Sequence, residues 1–155
     1  MKIIHLLGCV ALCEGVGVLA GAITSQSVKV WYPELAKRWF TPPAWVFGPA
    51  WILLYLLMGI SLCIVWRSDA GSVRFALIAF FTQLALNAAW SFIFFGFRSP
   101  FWGFVEIVLL VGAIIWTMVL FFRISLVAGS LLIPYLLWVL FATMLTFSIW
   151  RLNPT

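Results

Sequence analysis

Four tryptophans lie well inside long apolar stretches of this 155-residue sequence, which contains ten tryptophans in total. They are Trp51, Trp90, Trp116 and Trp138. A buried indole N–H needs a hydrogen-bond acceptor, so these four are candidates to line a pocket. The remaining six lie at or near the ends of the stretches, as in the aromatic belt of a membrane protein: Trp31, Trp39, Trp45, Trp66, Trp102 and Trp150.

Four polar residues interrupt the same stretches. Asn87 and Gln83 are one helical turn apart, and they either form a hydrogen bond between helices or contact a ligand. Glu14 and Glu106 are costlier in an apolar setting, so each is protonated, paired with a basic side chain, or exposed to a wet cavity. Of these alternatives, pairing with a basic side chain is the one we predict.

The residue types argue against conventional enzymes. The single histidine, His5, is near the N-terminus, and no nucleophile–base set or glycine-rich phosphate loop is present. His5, Cys9 and Cys13 are spaced four residues apart, which is too few convergent ligands for a metal site. The sequence therefore predicts no metal and no required cofactor. The nine lysines and arginines are scattered, which argues against nucleic-acid binding and favours lipid headgroups.

The composition is that of a membrane protein. Hydrophobic residues make up 66% of the chain and charged residues 8%, whereas soluble domains carry about 25% charge. Because a helix crosses the hydrocarbon in about 20 residues, we predict five transmembrane helices in a single domain, 1–155. The predicted fold is an all-α, multi-pass integral membrane bundle with spans at 3–24, 44–66, 75–97, 101–122 and 124–150.

Two features of these spans carry further predictions. Gly17 and Gly21 form a GxxxG pattern, which predicts a close approach of the first helix to a neighbour. Pro49 and Pro134 fall inside the second and fifth spans, where each predicts a kink.

The topology brings the candidate residues together. Only one connection is long, residues 25–43, and long loops in compact folds tend to be functional. The chemistry-bearing residues of helices 2 to 5 fall in the half of the bundle beneath it. We therefore predict a pocket there, with the loop as a lid that turns Trp31 and Tyr32 inward.

Several motifs resemble one known family. They are WYPELAK at 31–37, FTPPAWVFGPAW at 40–51, LNAAW at 86–90, PYLLW at 134–138 and WRLN at 150–153. Their order and spread over nearly the whole chain are similar to the TspO/MBR family of tryptophan-rich sensory proteins. Arg38 and Phe40 depart from the common pattern. Phe147 replaces the tyrosine of the sterol-recognition motif, which puts sterol binding in doubt.

The resemblance implies a homodimer of five-helix subunits with a pocket for porphyrins and other hydrophobic ligands. Matched by motif, the pocket residues are Tyr32, Trp51, Asn87, Trp90, Trp102, Trp138 and Ala142. Trp51 and Trp138 match the tryptophans that the family links to light-dependent porphyrin breakdown, and they are the candidate catalytic residues. Three functions follow as hypotheses: a tetrapyrrole sensor, which we favour, a transporter of such amphipaths, and a porphyrin-degrading enzyme.

Overall fold

A computed structural model describes residues 2–154, and five of its helices are long and apolar enough to cross a membrane. Their mean hydropathies lie between 1.6 and 2.5. In a bilayer the backbone must satisfy its own hydrogen bonds, and a helix does so within one segment. The predicted all-α fold is confirmed. The helices are α1 Ile3–Val30, α2 Phe47–Trp66, α3 Val73–Ser91, α4 Pro100–Ile124, α5 Leu126–Leu131 and α6 Ile133–Leu152.

The first helix is longer than predicted. It runs to Val30 instead of ending at residue 24, so the long connection is 31–43 and not 25–43. The polar run from Ser25 to Ser27 suggested a loop. It is compatible with a helix because Ser25 donates a hydrogen bond to the carbonyl of Ala22, inside the same helix.

The helices form a closed bundle. α1 packs against α2 and α3, α4 packs against α3 and α6, and the short α5 packs against α2 and α4. Fully buried side chains such as Met58, Phe80 and Ile114 make the core. Phe80 of α3 and Phe121 of α4 are stacked, with ring centroids 5.8 Å apart. Many large apolar side chains remain exposed on the outside, as expected for a surface that faces lipid.

Glycines allow α1 and α2 to approach closely. A Cβ added to Gly59 would lie 2.6 Å from the Cα of Val10, and one added to Gly17 would overlap the ring of Tyr55. A Cβ added to Gly21 would meet no atom within 4 Å. The GxxxG prediction is therefore correct for Gly17 and wrong for Gly21, because α1 and α2 diverge from Gly17 toward the connection at 31–43.

Both prolines lie in the first turn of a helix. Pro49 lies in the first turn of α2, and Pro134 is the second residue of α6. An N–H in the first turn has no partner within its helix, so proline costs little there. The kink predicted at Pro49 inside the second span is wrong. The fifth span is interrupted at Leu132, between α5 and α6 and two residues before Pro134, which agrees with the prediction for that proline.

The connection at 31–43 is fastened to the C-terminal end of the chain. Asn153 accepts a hydrogen bond from the backbone N–H of Ala36, 3.0 Å, and donates one to the carbonyl of Ala36, 2.9 Å. Lys37 lies over the ring of Tyr32, 4.7 Å from its centroid, and burial lowers the pKa of this lysine. These contacts hold the segment across the end of the bundle.

Removal of the Asn153 side chain should loosen this segment. We expect Asn153→Ala to speed hydrogen exchange at the amide of Ala36 by about fivefold, since a typical hydrogen bond contributes about 1 kcal/mol. Asn153→Asp keeps the acceptor for the Ala36 N–H and should exchange more slowly than the alanine variant. Equal exchange rates at the Ala36 amide in the parent protein and both variants would show that the Asn153 hydrogen bonds do not order the connection at 31–43.

Candidate functional site

A cavity of about 420 Å³ lies beneath the connection at 31–43, inside the half of the bundle that the topology indicated. Its walls come from α1, the first turns of α2, the end of α3 and the part of α6 between Trp138 and Ile149. The volume is within the range of small-molecule sites, about 300–1,000 Å³. The lining is mainly apolar and aromatic, so it suits a hydrophobic ligand.

Two tryptophans form one corner of the cavity. Trp51 of α2 and Trp138 of α6 meet edge to face, with ring centroids 6.5 Å apart and planes at 88°. Phe47 packs edge-on against Trp138 at 5.8 Å, and Tyr55 packs against Trp51 at 5.6 Å. Aromatic pairs in this geometry are each worth about 0.5–1.5 kcal/mol beyond their buried area. The corner is therefore rigid and presents apolar ring surface to the cavity.

The opposite wall depends on an irregular turn at the end of α3. Residues Phe92–Gly96 form a π-helical turn, a feature often found at functional sites. Trp90 stacks on Phe94, with ring centroids 5.2 Å apart and planes at 16°. Tyr32 packs edge-on against Phe95 at 5.8 Å. The turn thus brings Trp90, Phe94 and Phe95 into the wall and joins them to the connection above.

A chain of buried hydrogen bonds lies behind the floor of the cavity. Tyr55 donates to the side-chain oxygen of Asn87, 2.6 Å, and the Asn87 amide donates to the Tyr135 hydroxyl, 2.7 Å. Tyr135 in turn donates to the side-chain oxygen of Gln83, 2.8 Å. Both Asn87 and Gln83 are therefore engaged in hydrogen bonds between helices, although Asn87 also lines the cavity.

Loss of the central amide should destabilise the bundle. Asn87→Leu keeps the branched shape of the side chain but leaves the hydroxyls of Tyr55 and Tyr135 short of a partner, at a cost of about 1–3 kcal/mol. We expect a lower melting temperature in detergent. Thr82→Ala on the exposed face of α3 is the control, since its hydroxyl bonds only to the carbonyl of Ile78 in its own helix. If the two variants have the same melting temperature, the chain of buried hydrogen bonds does not support the fold.

Six of the predicted site residues line the cavity, and two do not. Those that do are Tyr32, Trp51, Asn87, Trp90, Trp138 and Ala142. Trp31 packs against Phe94 from outside the lining, with ring centroids 5.5 Å apart. Trp102 is 60% exposed in the first turn of α4, and within residues 2–154 the cavity wall takes no residue from α4. Trp102 therefore contacts the surroundings of the bundle and not the cavity.

Sequence reasoning missed the contribution of α1. Residues of one α1 face line the cavity, at the spacing of three and four residues that a helix face requires. They are Glu14, Gly17, Val18, Ala20, Gly21, Thr24, Ser25, Val28 and Lys29. The polar and small residues at this spacing were the available signal, and only the placement of α1 beside α2 and α3 shows what they face.

The two intramembrane acids differ in their surroundings. Glu14 lines the cavity. Glu106 is only 6% exposed within α4, and neither of its carboxyl oxygens has a hydrogen-bond partner. The prediction that Glu106 pairs with a basic side chain is therefore wrong. For Glu14 too, the described residues provide no ion pair.

Comparison with known proteins agrees with this architecture. The sequence profile of the TspO/MBR family matches residues 9–151. The chain is 44% identical to tryptophan-rich protein TspO of Archaeoglobus fulgidus over 153 residues, which cover 99% of both chains. It is 41% identical to the Homo sapiens translocator protein, covering 79% of this chain and 75% of that one. It is also 37% identical to a tryptophan-rich sensory protein of Cereibacter sphaeroides, covering 79% and 77%.

The family profile matches more than nine-tenths of the chain. Relatives that are 37–44% identical also cover most of it. Together these two findings decide the family assignment. The same relationship makes the protein a multi-pass membrane protein and supports a role as a membrane sensor or receptor. The chain belongs to the TspO/MBR family.

Proposed function

We propose that this membrane protein is a sensor that binds porphyrins in the cavity under the connection at 31–43. The observation that carries the proposal is the corner made by Trp51 and Trp138, which meet edge to face on the cavity wall. A porphyrin is a broad, flat aromatic ring, and aromatic side chains interact favourably with such a ring through their faces and edges. The remaining wall supplies Trp90, Phe94 and Phe95.

A lysine at one end of the cavity suits the carboxylates of such a ligand. Lys29 lies in the last turn of α1 and lines the cavity at the end nearest the membrane surface. Common porphyrins carry two propionate groups on one edge, so the ring can enter the apolar cavity while the carboxylates stay near Lys29. This arrangement places charge where water and headgroups are present, and it avoids the cost of a charge in the apolar interior.

The same corner supports light-dependent breakdown of the porphyrin as a second function. Trp51 and Trp138 would be the reactive residues, because an indole ring is readily oxidised. Transport has less support, since an apolar cavity with few ionisable groups offers no evident device for coupling to an ion gradient. All three functions begin with binding in the same cavity.

A titration with protoporphyrin tests the proposal. The protein in lipid nanodiscs should show saturable quenching of tryptophan fluorescence with one site per chain. Porphyrin absorbance under illumination, with and without protein, tests breakdown, and flux into proteoliposomes tests transport. Quenching that stays linear, as with empty nanodiscs, would mean that the porphyrin only partitions into lipid and would overturn the proposal.

A further inference from the structure

Among residues 2–154, two charged residues line the cavity, and both are on α1. Lys29 is in the last turn of the helix, near the membrane surface. Glu14 lies fifteen residues earlier, which is about 22 Å along a helix of about 1.5 Å rise per residue. That separation is too large for Lys29 to neutralise Glu14 directly. The deep end of the cavity therefore holds a carboxyl group without an ion pair to any of residues 2–154.

Most of the polar groups around the cavity are already engaged. Asn87 uses both its oxygen and its nitrogen on tyrosines. The hydroxyls of Thr24 and Thr146 donate to carbonyls in their own helices. The buried indole N–H groups of Trp90 and Trp138 have no hydrogen-bond partner among residues 2–154, but they can only donate. An ammonium group, which also only donates, would therefore meet Glu14 in preference to these side chains.

The cavity also reaches the lipid-facing surface between α1 and α2. Val18 is 67% exposed and Ile52 is 62% exposed, and both line the cavity. Below them Gly17 and Tyr55 close the two helices together, while above them Gly21 faces open space. A molecule dissolved in the bilayer can therefore enter the cavity from the side, between the two helices, and Glu14 lines the cavity at its closed end.

A carboxylate in this setting needs a partner of opposite charge. Ionised groups inside a membrane are costly unless they are paired, and a charge-assisted hydrogen bond to an ammonium is stronger than one between neutral groups. We propose that Glu14 anchors hydrophobic amines, with the ligand's ammonium against its carboxylate and the apolar body in the cavity against Trp51 and Tyr55. This inference rests on the cavity of the proposed function but names a different ligand class.

The experiment compares a naphthylalkyl amine with the alcohol of the same skeleton. Both are equilibrated by dialysis with the protein in phosphatidylcholine nanodiscs, the bound probe is measured by its naphthyl absorbance, and empty nanodiscs are the blank. We expect the amine to bind about tenfold more tightly than the alcohol, since a hydrogen bond to a charged group contributes enough for that ratio. Glu14→Gln should remove the preference, so that amine and alcohol bind with similar affinity.

Two further variants make the result decisive. Glu14→Asp keeps the charge and should retain most of the preference. Glu106→Gln is the matched control, because Glu106 is the other intramembrane acid but does not line the cavity, so it should bind both probes like the parent protein. Equal affinities for amine and alcohol in the parent protein would overturn the inference, and so would a loss of the preference in Glu106→Gln.

The same proteins titrated with protoporphyrin separate this inference from the proposed function. Porphyrin binding without an amine preference would overturn the role of Glu14 alone. An amine preference without porphyrin binding would overturn the proposed ligand and leave Glu14 as the anchor of the cavity.

Discussion

Exchange of Trp51 or Trp138 for phenylalanine should preserve much of the porphyrin affinity and remove most of the light-dependent porphyrin loss. Phenylalanine keeps an aromatic face at the corner where the two rings now meet at 6.5 Å. Breakdown should depend on the indole itself, because its electron-rich ring is the readily oxidised part. Binding is measured by fluorescence quenching and breakdown by the decay of porphyrin absorbance under light.

Alanine at the same positions should act differently. Trp138→Ala removes the ring that packs against both Phe47 and Trp51, so we expect porphyrin affinity to fall at least about tenfold, or about 1.4 kcal/mol. Trp116 is the control, because it is exposed on the outer face of α4 and does not line the cavity. Equal losses from phenylalanine at positions 51, 116 and 138 would indicate general destabilisation and not a site.

The second large effect concerns Gly59. Its backbone faces Val10 so closely that a Cβ would lie 2.6 Å from the Val10 Cα. A backbone atom cannot move aside as a flexible side chain can, so α1 and α2 would have to separate. We expect Gly59→Leu to reduce the stability of the bundle by about 3 kcal/mol, at the upper end of the usual cost of overpacking. Thermal unfolding in detergent, followed by circular dichroism, measures this change.

Gly21→Leu is the matched comparison on the other helix. A Cβ at Gly21 meets open space, so the melting temperature should stay near that of the parent protein. Gly21 also lines the cavity, so the leucine side chain should weaken porphyrin binding. If Gly21→Leu melts as low as Gly59→Leu, the helices do not diverge above Gly17 as the structure has them.

The membrane fold could be predicted from the sequence because the bilayer imposes a simple condition. A span must be about 20 apolar residues long and must satisfy its own backbone hydrogen bonds. Five stretches meet this condition, and the structure has five helices of that kind. The end of α1 was predicted six residues too early because hydropathy reports where lipid ends. A helix can continue beyond that boundary, as α1 does through Ser25 to Val30.

The general position of the cavity also followed from the sequence. Short connections force neighbouring helices to run antiparallel, so Trp51, Asn87 and Trp138 had to occupy the same half of the bundle. Depth along a helix can be counted in residues, and these three line the cavity at the predicted level. Trp102 lies in the same half of the bundle, in the first turn of α4, but is 60% exposed. Counting residues does not determine which way a helix is rotated about its axis when every face is apolar.

Only the tertiary structure decided how each helix is rotated about its axis. In water the polar face of a helix marks its outside, but in lipid the outer face is as apolar as the core, so periodicity carries little orientation signal. The close approach of Gly59 to Val10 sets how α1 lies against α2. That contact turns Glu14 toward the cavity. Burial of Glu106 without a partner is likewise a result of packing. The sequence determined which residues enter the membrane and at what depth, and helix packing decided which of them face the cavity.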